Sequence, residues 1–258
     1  MCLLLPGCKP KQSNTAPQAP INRVTIFAPV LLEPIIRSAE AASRETDIQW
    51  RVNLRTGGAQ SLAWTIEDGD IPDLYISSSV AMAENLIPQP TSIQPWLQNR
   101  LVVVTLASTP NPILKSDRAL ERSTGPVGVG LNGSLQGDYA RLALRYSDIW
   151  ELVDRRTTPR HSIDSLFDAL RSGEVELAIV FATDAKAAGP EFVISQQLEL
   201  PERVGIVYTK AAFSEMGAGF AEFLDLPEPL RKAVEAGYLP SNPPIPNQPL
   251  KDADADPE

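Results

Sequence analysis

Ser162-Ile-Asp-Ser-Leu-Phe-Asp-Ala-Leu-Arg-Ser-Gly-Glu-Val-Glu-Leu-Ala-Ile-Val-Phe181 is the stretch whose reading decides the fold. Its first half reads as a helix from Ser162 to Arg171, with Ser162 and Ser165 suited to the first turn and Gly173 to the end. Its last five residues, Leu177 to Phe181, are apolar without a break, the pattern of a strand covered on both faces. Outward from there the same alternation recurs. Strand signals fall at Arg23–Phe27, Ile48–Leu54, Asp73–Ser77, Leu101–Leu106, Val127–Gly130 and Val204–Tyr208. Helical spacing falls at Leu32–Ser43, Ser61–Glu67, Val80–Leu86, Gly137–Tyr146, Glu215–Leu224 and Glu228–Ala236. Strands with helices between them predict parallel sheets with helices on both faces, and ligands of such sheets gather at the strand carboxyl ends.

Composition narrows the partners. The net charge of −9 opposes nucleic-acid binding, which needs clustered Lys and Arg, but not a small anion held by amide dipoles. Both cysteines, Cys2 and Cys8, lie at the N-terminus, and His161 is the single histidine, so no Cys/His metal cluster is possible. His161 precedes a helix cap and is expected on the surface. There is no nucleophile–His–acid arrangement, no Gly-x-Ser-x-Gly elbow and no phosphate-loop signature, and the chain reads as a binding protein rather than an enzyme, with no cofactor.

The N-terminus carries an address. Leu5-Pro-Gly-Cys8 resembles a bacterial lipobox, in which a small residue precedes the cysteine that is lipidated. The apolar run before it, Leu3 to Leu5, is shorter than a signal core, so a longer signal sequence is expected. Lys9 to Pro20, KPKQSNTAPQAP, is too polar and proline-rich to pack and reads as a tether. A Pro-rich and then acidic tail follows Pro240. The expected location is the periplasmic or cell-surface side of a membrane, with a lipid anchor at Cys8.

In their order the body segments resemble the periplasmic molybdate-binding proteins of ABC importers, which are class II substrate-binding proteins. The resemblance rests on Val24-Thr-Ile-Phe-Ala28, Leu62 to Ser77, Leu101-Val-Val-Val104, Gly137-Asp-Tyr-Ala140, Ser172 to Ala185, Phe220 to Leu224 and Gly237-Tyr-Leu239. It implies an α/β fold: a two-lobed clamp of the type II periplasmic-binding-protein kind, mostly parallel sheets with flanking helices. The implied division is a truncated signal and tether over 1–21, lobe I over 22–101 plus 204–239, lobe II over 102–203, and a disordered tail over 240–258. It further implies a monomer that binds a tetrahedral oxyanion, molybdate- or tungstate-like, between its lobes and delivers it to an ABC permease of the inner membrane.

The pocket that the resemblance implies is altered. Leu31 stands where the family offers a serine in the first loop, and Ala59 where it offers one in the second, beside Gly58, Gln60 and Ser61. Gln136 replaces a small residue in the third loop, Val180 matches a position that acts through its backbone, and Arg203 stands where a tyrosine is common. Gln60, Ser61, Ser134, Gln136 and Arg203 are the candidate replacement donors, and Asp184 is expected as a cap or hinge residue, since a carboxylate repels an anion. Two other readings stay open: the same fold holding a different small anion through the fork of Arg203, and a sensory or structural lipoprotein without transport.

Overall fold

The computed structural model describes residues 21–202 and 204–241. The first stretch builds β1 (Ile21–Ala28), α1 (Glu33–Ala42), β2 (Gln49–Thr56), α2 (Ala59–Glu67), β3 (Leu74–Ser77), α3 (Val80–Glu84) and β4 (Ser92–Asn99). The middle builds β5 (Leu101–Leu106), α4 (Ala119–Arg122), β6 (Val127–Gly130), α5 (Leu135–Tyr146), α6 (Trp150–Asp154) and β7 (Thr157–Arg160). It continues with α7 (Ile163–Arg171), β8 (Leu177–Phe181), α8 (Ala182–Ala188) and β9 (Phe192–Leu198). The chain ends with β10 (Ile206–Ala212), α9 (Glu215–Phe223), α10 (Pro227–Glu235) and β11 (Leu239–Pro240).

These strands form two sheets, one of order β11-β4-β10-β3-β1-β2 and one of order β7-β6-β8-β5-β9. Each has a parallel heart, β2-β1-β3 in the first and β7-β6-β8 in the second. Around those hearts the pairing is antiparallel, β10 with β3 and β4, and β5 with β8 and β9. The sheets are therefore mixed where mostly parallel ones were expected. The reason is the crossing: the chain passes between sheets after β4 and again after β9, and each passage brings in a strand running against its neighbour. The two-lobed clamp with flanking helices stands.

Apolar runs without alternation are explained by two-sided burial. Along β5, Leu101 and Val103 join the core shared by both sheets, while Val102 and Val104 join the cluster of Leu166, Phe167, Leu170 and Phe192 on the opposite face. Along β1, Ile26 faces the shared core and Phe27 packs with Leu62, Tyr75 and Ala211.

Four strands had no sequence signal, β4, β7, β9 and β11; β7 and β11 are short, and β4 and β9 are irregular. Pro95 lies in β4 where the register with β10 shifts between Tyr208 and Thr209, a bulge being where a strand tolerates proline. In β9 the register with β5 shifts between Val103 and Val104. A bulge breaks the two-residue period by which a strand is recognised. The last long strand is also displaced, running over Ile206–Ala212 rather than Val204–Tyr208.

Candidate functional site

Register fixes which edges of the two sheets face each other. In the first sheet Ala28 pairs with Thr56 and Phe27 with Tyr75, so β1, β2 and β3 end together and release the loops at 29–32, 57–58 and 78–79 on one edge. In the second, Gly130 pairs with Arg160 and Val127 with Leu177, so β6, β7 and β8 end together. Leu101, where the chain enters the second sheet, pairs with Phe181 at the carboxyl end of β8 and with Leu198 at the end of β9. Both crossings thus leave from carboxyl ends.

On the first sheet's edge, Leu31 sits half-buried in the turn Val30–Leu32 after β1 and brings no polar atom. Gly58 is the N-cap of α2 in extended conformation, with no side-chain cap, no acidic residue in the first turn and nothing within 4 Å of where a Cβ would lie. Ala59 opens the helix and its carbonyl accepts a bond from the Tyr75 hydroxyl at 2.9 Å. Gln60 and Ser61 are exposed. The α3, α5, α7 and α9 helices are each capped by a serine side chain, Ser79, Ser134, Ser162 and Ser214. The start of α2, like those of α1, α4, α6, α8 and α10, has no side-chain cap, and its first N–H groups have no partner within the helix.

Ser78 was missed by sequence reasoning. It follows β3 on the same edge, is 5% exposed, and its hydroxyl has no hydrogen-bond partner. Its neighbours Ser77 and Ser79 bond each other, Ser77 Oγ donating to the Ser79 carbonyl at 2.7 Å. Three consecutive serines look alike in sequence, and only the fold separates the idle hydroxyl from the two in use.

On the second sheet's edge, Ser134 Oγ accepts from the Gly137 N–H at 3.1 Å and donates to the Leu131 carbonyl at 2.7 Å, so its proton is committed. Gln136 is buried in the first turn of α5, and its Nε2 donates to the Ile179 carbonyl in β8. Val180 lies within β8, wholly buried in the cluster of Val102 and Leu166. His161 is exposed just before the Ser162 cap. Arg203 and Cys8 lie outside the described residues.

Asp184 is in the first turn of α8. Burial, more than the nearby Asp164 carboxylate, pushes its acid group up to about 7, against a bond from the Phe181 backbone, and its Oδ2 has no partner. Around it, Asn99 Nδ2 donates to Thr183 Oγ1 at 2.8 Å, and burial together with the Asp184 charge holds Tyr208 up at about 12. Tyr238, raised by burial and by its neighbours Tyr208 and Asp184, stacks edge-on against Tyr208 at 5.2 Å. Asn99 and the tyrosines belong to the first sheet's half, Thr183 and Asp184 to the second's.

Among the described residues, two crevices between the halves are both lined by Leu31. One, of about 530 Å³, lies between Val30–Leu31 and Asp164, Asp168, Arg171 and Asp184 on α7 and α8. The other, of about 390 Å³, lies between Leu31, Pro34 and Glu235 and the Thr183–Lys186 turn. The first wall is acidic, because Arg171 is already engaged by Asp168 and Glu191, each at 3.0 Å. Those carboxylates repel an anion, whereas the start of α2 has no acidic residue in its first turn. Among the described residues no group of His, Cys, Asp and Glu could hold a metal, and no helix is long and apolar enough to cross a membrane.

Comparison with known proteins gives this geometry its context. A comparison with curated proteins finds no match. Among solved structures, the substrate-binding domain assigned to a molybdenum ABC transporter of Clostridium difficile superposes with a TM-score of 0.70 at 19% identity, over 85% of this chain and 99% of that one. The sulfate-binding protein of Mycobacterium tuberculosis gives 0.63 at 17%, over 86% and 88%. The periplasmic molybdate-binding protein of Azotobacter vinelandii gives 0.60 at 14%, over 84% and 98%. At such identities the likeness shows the shared fold. The family model described as bacterial extracellular solute-binding protein matches residues 24–239, and the chain belongs to that family of binding proteins.

Proposed function

We propose that this chain is the extracytoplasmic binding component of an ABC importer and takes a small tetrahedral oxyanion, of the size and shape of molybdate or tungstate, between its two lobes. The lobes are 22–101 with 204–239, and 102–203. The observation that carries the reading is the uncapped N-terminus of α2, with Gly58 open and no acidic residue in its first turn. It lies on the edge from which both crossings leave, in a family of solute-binding proteins. Free N–H groups at the positive end of a helix dipole are an anion site in themselves. The idle Ser78 hydroxyl on the same edge offers what Leu31 and Ala59 lack. The protein acts as a monomer on the outer side of the membrane, tethered through lipidated Cys8, and hands its cargo to a permease.

Melting the protein with molybdate, tungstate, sulfate, phosphate and phosphonates tests this. At free ligand about 100 times Kd the bound form gains about 2.7 kcal/mol, a rise of roughly 5–10 °C for a chain of this size. No rise with any of these anions overturns the reading. The loss of both expected serines favours an anion other than molybdate itself within the same site.

A further inference from the structure

The wider crevice between the halves is walled in part by a buried carboxylate oxygen for which the fold supplies no donor. Its volume of about 530 Å³ falls within the roughly 300–1,000 Å³ of small-molecule sites, and none of its described lining residues belongs to α2. Val30 and Leu31 form one wall, and Ile163 and Phe167 of α7 face them with the end of α8. Into this apolar lining come three aspartates, Asp164, Asp168 and Asp184, against one arginine. Arg171 is engaged by Asp168 and Glu191 and lies over the Phe192 ring at 5.1 Å, so its charge is spent away from Asp184. Asp184 Oδ2 is buried and has no hydrogen-bond partner. The hydroxyls of Tyr208 and Tyr238 feel its charge but bond Asn99 and Thr183 instead. A buried carboxylate oxygen left bare costs stability, and a cationic donor facing it recovers that cost.

We propose that this crevice is a second ligand site, which takes a small organic cation: a primary ammonium on a compact alkyl or aryl body. The ammonium donates to Asp184 Oδ2 within the field of Asp164, and the body packs against Leu31, Ile163 and Phe167. Leu31 belongs to the first half and Asp184 to the second, so the ligand bridges the lobes. A metal ion does not fit, since among the described residues no group of His, Cys, Asp and Glu could hold one. Binding carries a proton signature. Burial pushes the Asp184 acid up to about 7, so an arriving ammonium displaces a proton, and affinity rises as pH climbs through that value. The other charged or titratable groups that face the carboxyl are Asp164, Asp168 and Arg171 of α7, Tyr208 of β10 and Tyr238. Burial holds both tyrosines protonated over that range, and the Val30–Leu31 turn brings no charge. The oxyanion reading neither requires this site nor fails with it.

Calorimetric titration of the full chain with benzylammonium tests it, with benzyl alcohol as the neutral match in shape and magnesium chloride as the metal control. At about pH 7.5 the native protein is expected to bind benzylammonium about tenfold or more tighter than benzyl alcohol, and to lose affinity as pH falls to about 5.5. Asp184→Asn keeps the shape and removes the charge. In that variant, checked as folded by its melting curve, the preference for the ammonium and its pH dependence both collapse. Should Asp184→Asn not fold, Asp164→Asn at an exposed position is read instead, and benzylammonium weakens several-fold. No binding of benzylammonium, equal binding of benzyl alcohol, or a preference unchanged in the variant read overturns the site. Displacement of benzylammonium by magnesium overturns the organic-cation class.

Discussion

Asn99 Nδ2 donates to Thr183 Oγ1 at 2.8 Å, and this buried bond ties the last residue of β4 in the first sheet to the first turn of α8 on the second. Asn99 Oδ1 also accepts from the Arg100 N–H at 2.9 Å, so one side chain holds both the crossing strand and the neighbouring lobe. Asn99→Ala removes both bonds, one buried and one half-buried. The expected loss is about 1–3 kcal/mol in chemical denaturation, and a change within error would show that the tie is replaced by water.

Gly217 and Gly219 lie two residues apart in α9 and should respond oppositely to alanine. A Cβ at Gly217 would fall 1.8 Å from the Asp73 carbonyl oxygen, whereas at Gly219 its nearest neighbour is the Trp50 ring at 3.4 Å. Gly217→Ala is expected to cost about 1–3 kcal/mol by overpacking. Gly219→Ala should stabilise by up to about 1 kcal/mol through helix propensity. Urea titrations of both variants check the contrast, which vanishes if α9 can slide away from β3.

Asp184 makes a pH prediction with a definite sign. Its folded-state acidity, pushed up to about 7, lies above the ordinary carboxylate value near 4, so the group takes up a proton on folding. Its contribution is therefore full below about pH 4 and is lost as pH rises through about 7. The groups that face it are the Asp164 carboxylate of α7 and the hydroxyls of Tyr208 and Tyr238, with the Phe181 backbone as a bonding partner. Relative to Asp184→Asn, the native protein should lose stability steadily between about pH 5 and pH 7. Parallel stability curves for the two proteins over that range would contradict the burial of this carboxyl.

The idle hydroxyl of Ser78 separates binding from folding. Because Ser78 Oγ makes no bond within the fold, Ser78→Ala should change stability by less than about 0.5 kcal/mol. Titration should show the anion weakened about tenfold by the lost charge-assisted bond. An affinity equal to that of the native protein would place the anion elsewhere on the edge.

Leu31→Ser tests the altered loop in the other direction. A hydroxyl in the turn after β1 adds a donor at a position that is only half-buried. Anion affinity is expected to rise several-fold, with a small loss of stability from the removed apolar contact. An unchanged affinity for every anion would mean that this turn does not reach the ligand.

The legible part of the fold was its parallel heart. Leu177–Phe181 and Leu101–Val104 announce themselves because a strand buried on both faces has no polar position to interrupt it. The crossing strands β4 and β9 did not, because Pro95 and a bulge in each break the period. Gly58 was legible as a glycine between strand and helix, and it is the N-cap of α2, with no side-chain cap and open space where a Cβ would lie. What the side chains of Val180 and Gln136 pack against and bond was not legible, because both partners come from distant parts of the chain.

By itself the sequence determined the alternation of strands and helices, since hydrophobic periodicity is a local property that each segment carries in its own residues. Tertiary structure alone decided which polar atoms are spent and which are idle. Ser77, Ser78 and Ser79 are the same residue three times, and Gln136 is an amide with a donor at one end and an acceptor at the other. Hydrogen bonds to residues far along the chain, such as Gln136 to Ile179 and Asn99 to Thr183, consume some of these groups and leave Ser78 Oγ and Gln136 Oε1 unpaired. Such pairing depends on distance in space, which no local pattern encodes.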